Sequence, residues 1–304
     1  MAPASGEQIQ LIESGEDPFV VAKDKYGIFP VSVWEADMSN PITRRLKRMI
    51  GDNAEERDTP GTTFSGSDFI SKSKHTSSIF NPAVASWILN LYAPREGIAF
   101  DPFGGGGTRA IMTAKHGLKY IGYELREKEC AAVIERCTAC DLKAEIYKKQ
   151  SVKELQVVIV QGDARNPDFV PDECADFVIT CPPYFNMEQY DGGEADLSMA
   201  ASYDDFLEGI ADVASECHRI MKPGAIAAWV VGLHRVKKTG EIIPIPHDVA
   251  RLHRETGFIH KEEVILYLTN TGATLRVGTF EKGNRLLIRL HEYVEIFQKP
   301  WSGR

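Results

Sequence analysis

The chain has 304 residues, 43% of them hydrophobic, and a formal charge of −8. That length allows one large α/β domain with an appendage, and the acidic balance excludes a protein that coats nucleic acid by phosphate neutralisation alone. No apolar run approaches the ~20 residues that cross a bilayer, and MAPASGEQIQ has neither the basic start nor the apolar stretch of a signal peptide, so a cytoplasmic protein with no membrane partner is expected.

Residues 1–79 are polar and predict an N-terminal extension, with a weak strand-like stretch at 27–34 and a short helix around 41–50. This extension is expected to pack on or cover a main domain at 80–304. Asn81 can cap a helix with Pro82 in its first turn, after which Val84, Trp87, Ile88 and Leu91 share a face. A strand over 97–101 then runs into Pro102-Phe103-Gly104-Gly105-Gly106-Gly107-Thr108 and a helix from Arg109 to His116. Strand, glycine loop and helix in that order open a doubly wound nucleotide-binding sheet, and the glycines let the backbone turn sharply against a ligand.

The second strand, 119–125, ends in Glu124, 23 positions after Asp101, where a carboxylate can accept bonds from two ribose hydroxyls. Two cysteines follow as a CxxC, Cys137 and Cys140; without a second pair or a nearby histidine pair they read as helix cysteines ahead of a metal or redox site. The third strand, 157–163, ends in Asp163, suited to accept from an adenine amino group. The fourth, 175–180, stops at Cys181-Pro182-Pro183-Tyr184. Paired prolines end a sheet abruptly and leave carbonyls without their usual donors. A rigid loop with free carbonyls and an aromatic ring can grip a flat, flipped-out base, the ring stacking on its face while a carbonyl and the side chain before the prolines accept from an exocyclic amine.

Ser202 opens a helix with the apolar stripe Phe206, Ile210, Val213, Cys217 and Ile220, which Lys222-Pro223-Gly224 is expected to end. Strands over 225–231, 258–268 and 286–298, with a helix opened by Pro246, His247 and Asp248, complete a seven-stranded mixed sheet with an antiparallel edge. His234 and Arg235 fall just past the fifth strand, where they either touch substrate or are merely exposed; His247 and His291 read as cap or packing histidines. Polynucleotide contact would be local, through Arg44, Arg45, Lys47 and Arg48, through Lys72 and Lys74, or through Arg276, Lys282, Arg285 and Arg289, each of which is otherwise a solvated face.

DPFGGGGT, Glu124, GDAR at 162–165 and TCPPY at 180–184 together resemble the DNA amino-methyltransferases, which modify N4 of cytosine or N6 of adenine. The resemblance covers about 79–299 and implies a Rossmann-like class I methyltransferase fold with helices on both faces of the sheet, S-adenosylmethionine as cofactor and DNA, most readily double-stranded, as partner, with a homodimer compatible. By the same resemblance Phe80-Asn81-Pro82 holds the methionine end of the cofactor and 291–297 is the last core strand; Ala164, next to Asp163, is a further candidate for cofactor binding. Cofactor segments precede the catalytic one, with no long insertion for a separate recognition domain; the 185–200 loop, 266–285 and the extension resemble phage-encoded methylases. The family has Ser, Asn or Asp where this chain has Cys181, and a thiol is a poor acceptor. Either cysteine stands in for serine and an amine is methylated, N4 of cytosine ahead of N6 of adenine, or the thiolate attacks C6 of a pyrimidine and activates C5. An RNA methyltransferase and a non-catalytic nucleic-acid-binding subunit are the other readings; the first lacks visible RNA-binding modules and the second is expected to lose the glycine loop or Pro-Pro-Tyr.

Overall fold

The computed structural model describes residues 32–36, 80–147, 155–186, 192–236, 239–268 and 290–303. The first helix, α1 (Pro82–Tyr92), starts as its sequence demands: Asn81 Oδ1 accepts from the Ala83 amide at 2.9 Å, and Pro82 occupies the first turn, where no amide partner is lost. Helices α2 (Thr108–His116), α3 (Glu127–Ala139), α4 (Tyr203–Ile220) and α5 (Ile245–Thr256) follow. Ser202 caps α4 by accepting from the Asp205 amide at 3.1 Å, and the five expected apolar residues of its stripe are all buried.

The strands are β1 (Val33–Ala36), β2 (Ile98–Asp101), β3 (Lys119–Glu124), β4 (Ala144–Ile146), β5 (Val157–Gln161), β6 (Ala175–Thr180), β7 (Met221–Val231), β8 (His234–Arg235), β9 (Ile242–Ile243), β10 (Ile259–Leu268) and β11 (His291–Gln298). Nine form one sheet in the order β1-β10-β11-β7-β6-β2-β3-β5-β4, while β8 and β9 make a separate small hairpin. Two strands beyond the expected seven account for the difference. One is the three-residue edge strand β4; the other is β1, inside the stretch read as an extension, which pairs in parallel with β10. Trp34 of β1 then packs edge-on against Trp87 of α1, with ring centroids 5.7 Å apart.

The antiparallel strand is internal. Among the described strands only β11 runs against the others, between β10 and β7, and not at the edge as the chain order suggests. Nor does Lys222-Pro223-Gly224 end α4: the helix stops at Ile220, and these residues form an irregularity within β7, whose pairing to β6 jumps from Met221 to Ile226. Gly224 there has φ +83°, and a Cβ on it would collide with the Trp301 ring.

Alternation along the strands divides the core. Val158, Val160, Val178 and Trp229 face the layer of α4 and α5, whereas Val157 and Ile159 face α2 and α3, and Phe177, Ile179 and Ala228 face α1. Cys137 and Cys140 are buried in the α2–α3 layer, where burial pushes the Cys137 thiol up to about 12. The sheet order reverses between β6 and β2, so the loops after those two strands flank the crevice where ligands bind in open α/β sheets. Among the described residues no helix is long and apolar enough to cross a membrane. The expected helix at 41–50 and all three basic patches lie outside the described residues.

Candidate active site at the carboxyl edge of the sheet

Asp101, the last residue of β2, is the hub of the crevice. Its buried carboxylate accepts from Arg109 Nε at 2.7 Å, the Tyr120 hydroxyl at 2.7 Å, the Thr180 hydroxyl at 2.7 Å and the Phe103 amide at 3.1 Å. Those four donors come from α2, β3, the end of β6 and the glycine loop, so one carboxylate joins the glycine loop to the residue just before Cys181. Local sequence makes this reach feasible. Gly122 pairs with Asp101 across β2 and β3, and a Cβ there would stand 2.5 Å from a ring carbon of Tyr120, so only glycine leaves the ring its path to the carboxylate. Arg109 also donates to the Phe103 carbonyl and lies 5.0 Å from the centroid of the Phe80 ring. Burial alone would lower its pKa, but the Asp101 carboxylate more than reverses this and the guanidinium stays charged.

The glycine loop presses against the end of β3. The Gly104 amide donates to the Tyr123 carbonyl at 2.6 Å, and a Cβ on Gly104 would stand 3.0 Å from that oxygen. Gly106 and Gly107 hold φ of 29° and 79°, a region that suits glycine. Gly107 is the N-cap of α2 and supplies no side-chain cap, which leaves amides of the first turn pointing toward the loop. Thr108, next in line, has a buried hydroxyl with no hydrogen-bond partner among the described residues. Pro102 is buried in the loop, and Phe103 meets Trp229 of β7 edge-on at 6.1 Å.

Glu124 lies beside this loop: a Cβ on Gly105 would stand 3.6 Å from its Oε2. It accepts from the Arg126 amide at 2.9 Å and from Arg126 Nε at 3.1 Å. Asp163, in the turn after β5, repeats the arrangement with Arg165, whose amide donates at 2.9 Å and whose Nη2 donates at 2.6 Å; both side chains are 28% exposed. The ends of β3 and β5 are tied by the Gly162 amide donating to the Glu124 carbonyl at 3.1 Å, and Ala164 is buried beside them. The structure therefore gathers Asp101, the glycine loop, Glu124 and Asp163 along one edge, with Phe80 joined through Arg109. Asn81 Oδ1 is already engaged in capping α1.

The residues expected to form the catalytic loop follow Thr180 directly. Pro182 is buried, Cys181 and Pro183 are half-buried, and among the described residues no backbone donor meets the Pro182 carbonyl. Tyr184 departs from the expected open stacking platform. Its ring is only 8% exposed, packed in the α4–α5 layer, and its hydroxyl donates to Glu292 Oε1 at 3.2 Å. A base can reach that ring face only if its surroundings shift. Glu292, half-buried near the start of β11, does not stand out in the sequence, although an acid opening an otherwise buried strand is a readable signal. Burial raises its pKa and the Tyr184 hydrogen bond partly offsets this. Arg235 is spent on the Gly240 carbonyl within the β8–β9 region, and His291 and His247 lie against Tyr293.

A doubly wound sheet with a glycine loop at its reversal, acids at three neighbouring strand ends and a single reversed strand near the opposite side is a class I methyltransferase fold. The [4+2]-cyclase SpnF shares that fold at a TM-score of 0.51 and 14% identity, over 86% of this chain and 94% of its own. The chain belongs to the DNA methylase family, N6/N4 type, a family of S-adenosylmethionine-dependent methyltransferases whose pattern matches residues 5–135 and 175–301. The Type II methyltransferase M.BglII of Bacillus subtilis is 27% identical over 37% of this chain and 35% of its own. A Thermus thermophilus protein, crystallised as a candidate DNA modification methylase, is 26% identical over 47% of this chain and 54% of its own, with a TM-score of 0.36. It was also solved complexed with S-adenosyl-L-methionine. The chain thus spans less than two thirds of the length of either relative.

Proposed function

We propose that this protein methylates the exocyclic amine of a flipped base in double-stranded DNA, with N4 of cytosine preferred to N6 of adenine. The observation that carries the reading is the Asp101 hub, which holds the Phe103 amide of the glycine loop and the Thr180 hydroxyl beside Cys-Pro-Pro-Tyr on one buried carboxylate. The loop suited to a nucleoside cofactor and the loop suited to a base are then one rigid unit. The preference for cytosine follows the serine-like character of Thr-Cys-Pro-Pro-Tyr.

The residues present fit S-adenosylmethionine. Glu124 would accept from its ribose hydroxyls and Asp163 from its adenine amine, beside Ala164. The uncapped first turn of α2 and the unpartnered Thr108 hydroxyl suit a carboxylate, as helix N-termini do. Phe80, Asn81 and Pro82 would flank the same end, and glycines 104–106 leave room for the close approach. The cofactor supplies an electrophilic methyl group on a good leaving group, so the protein's task is alignment in a water-poor site and not strong base catalysis. The Pro182 carbonyl is the main acceptor for the target amine, because the Cys181 thiol accepts weakly. The Tyr184 ring meets the developing positive charge once a base lies against it, and the amine's proton leaves to water after transfer.

A second reading is favoured by one observation. Cys181 follows Thr180, and the Thr180 hydroxyl and Arg109 Nε donate to the same buried Asp101 carboxylate, which brings a buried cation near the thiol. As a thiolate it would add to C6 of a pyrimidine, C5 would take the methyl group, and loss of the C5 proton to water would then expel the thiolate from C6. Nucleoside mass spectrometry separates the two: purified protein is incubated with S-adenosylmethionine and unmethylated DNA, beside Cys181→Ser. N4-methylcytosine or N6-methyladenine, retained in the serine variant, is the expected result. A 5-methylated base that disappears in that variant would make Cys181 the nucleophile, and no methylated DNA base at all would end both readings.

A further inference from the structure

Glu292 sits at the catalytic loop without a part in the methyl transfer described so far. It is the second residue of β11, paired with Leu266 of β10, and it precedes Tyr293, which pairs with Val231 at the end of β7. It therefore reaches the same sheet edge as Cys-Pro-Pro-Tyr from a segment 108 positions away, and its Oε1 accepts from the Tyr184 hydroxyl at 3.2 Å. Gly232, the residue after β7, makes the meeting possible. It is buried, and a Cβ on it would stand 3.0 Å from the Tyr184 hydroxyl oxygen and 3.3 Å from Glu292 Cγ. Three segments, the loop after β6, the end of β7 and the start of β11, thus close on one phenol–carboxyl contact.

The chemistry of that contact is poorly suited to stability alone. Among the described residues no cation pairs with Glu292, and Tyr184 is its donor. A half-buried carboxyl held by a single neutral hydrogen bond stabilises a fold less than a packed apolar side chain would. What the contact does provide is direction: it fixes the far end of the Tyr184 ring, and through it the backbone that follows Pro182 and Pro183, against the strands on the substrate side of the crevice. Resting on the proposed methylation, we infer that Glu292 is a positioning residue for methyl transfer, acting through the Tyr184 hydroxyl to hold the Pro-Pro-Tyr loop in register.

A test compares the full-length wild type with Tyr184→Phe, Glu292→Ala, Glu292→Gln and the Tyr184→Phe/Glu292→Ala double variant. Single-turnover formation of methylated nucleoside in unmethylated plasmid DNA is measured, and S-adenosylmethionine affinity is followed by calorimetry. Tyr184→Phe and Glu292→Ala are each expected to slow methylation roughly ten- to a hundredfold, and the double variant no further, because both remove one coupled interaction. Glu292→Gln keeps an acceptor oxygen and is expected to stay within about threefold of wild type. Cofactor affinity stays unchanged throughout, a separation that a general loss of structure would not give.

Multiplicative losses in the double variant, a Glu292→Gln as slow as Glu292→Ala, or a Glu292→Ala at the wild-type rate would each overturn the inference. If Glu292→Ala fails to fold, a slow Tyr184→Phe beside a fast Glu292→Gln supports it, and a Tyr184→Phe at the wild-type rate overturns it. A wild type that methylates DNA alongside an unaffected Glu292→Ala removes this inference alone, whereas a wild type that yields no methylated base removes the proposed function and the inference together.

Discussion

The two sides of the crevice handle their carboxyl groups differently. On the side of β2, β3 and β5 each acid has its own guanidinium: Arg109 on Asp101, Arg126 on Glu124 and Arg165 on Asp163. On the side of β7, β10 and β11 the acids meet a phenol and an imidazole instead. Glu292 is held by Tyr184, and buried Glu295 by His260 Nε2 at 2.8 Å. Burial, with the charge of Glu263 added, pushes Glu295 up to about 8. On the first side each carboxyl is paired with a guanidinium; on the second, burial raises the pKa of Glu292, which meets the Cys-Pro-Pro-Tyr loop, and of Glu295, farther along β11. A nucleoside cofactor offers hydroxyls and an amine, which carboxyl acceptors hold well, whereas a flipped base is held by stacking and by hydrogen bonds to its edge.

The largest effect that would break this contrast is expected at Asp101. Asp101→Ala leaves Arg109 buried without its carboxylate, a loss on the order of 3–5 kcal/mol, read in thermal unfolding as a fall in Tm of roughly 10 °C for a chain of this size. A smaller shift would mean that the hub is not the joint between the loops. Next comes Glu124→Ala, which removes the carboxylate proposed to hold the ribose and is expected to weaken S-adenosylmethionine binding roughly ten- to a hundredfold by calorimetry. Asp163→Ala should weaken it by about tenfold or less, since its site is open to water and water can replace part of the bond.

The mildest test addresses the other side through pH. A carboxyl whose folded-state pKa is raised holds more protons folded than unfolded, so its share of stability is present at low pH and is lost as pH rises from about 4.5 toward about 8. Glu295→Gln should flatten the corresponding fall in Tm over that window. An unchanged slope would show that Glu295 is ionised against His260, and the two sides would then be alike.

The same contrast decides what could be read before the fold was known. The glycine loop, Glu124 and Asp163 follow their strands within a few residues, and their chemistry is set by local spacing, so the sequence exposes them. Thr180 to Asp101 and Tyr184 to Glu292 are joined only by the packing of strands far apart in the chain. The arginines of Glu124 and Asp163 were readable in principle, each two residues beyond its acid, but the charge pairing shows only once the turns are built. Strand β1 was legible only in part, at the end of the weak strand-like stretch at 27–34, because four residues carry little periodicity until β10 offers them an edge. The position of β11 between β10 and β7 is likewise a matter of sheet order, on which strand composition is silent.

A crystal structure with S-adenosylhomocysteine would test the central claim most directly, because it reads both sides of the crevice at once. The ribose is expected on Glu124, the adenine amine on Asp163, the amino-acid end at Thr108 and the sulfur facing Pro182 and Tyr184. An adenosyl group bound away from Glu124, or a sulfur turned from the Cys-Pro-Pro-Tyr loop, would contradict it.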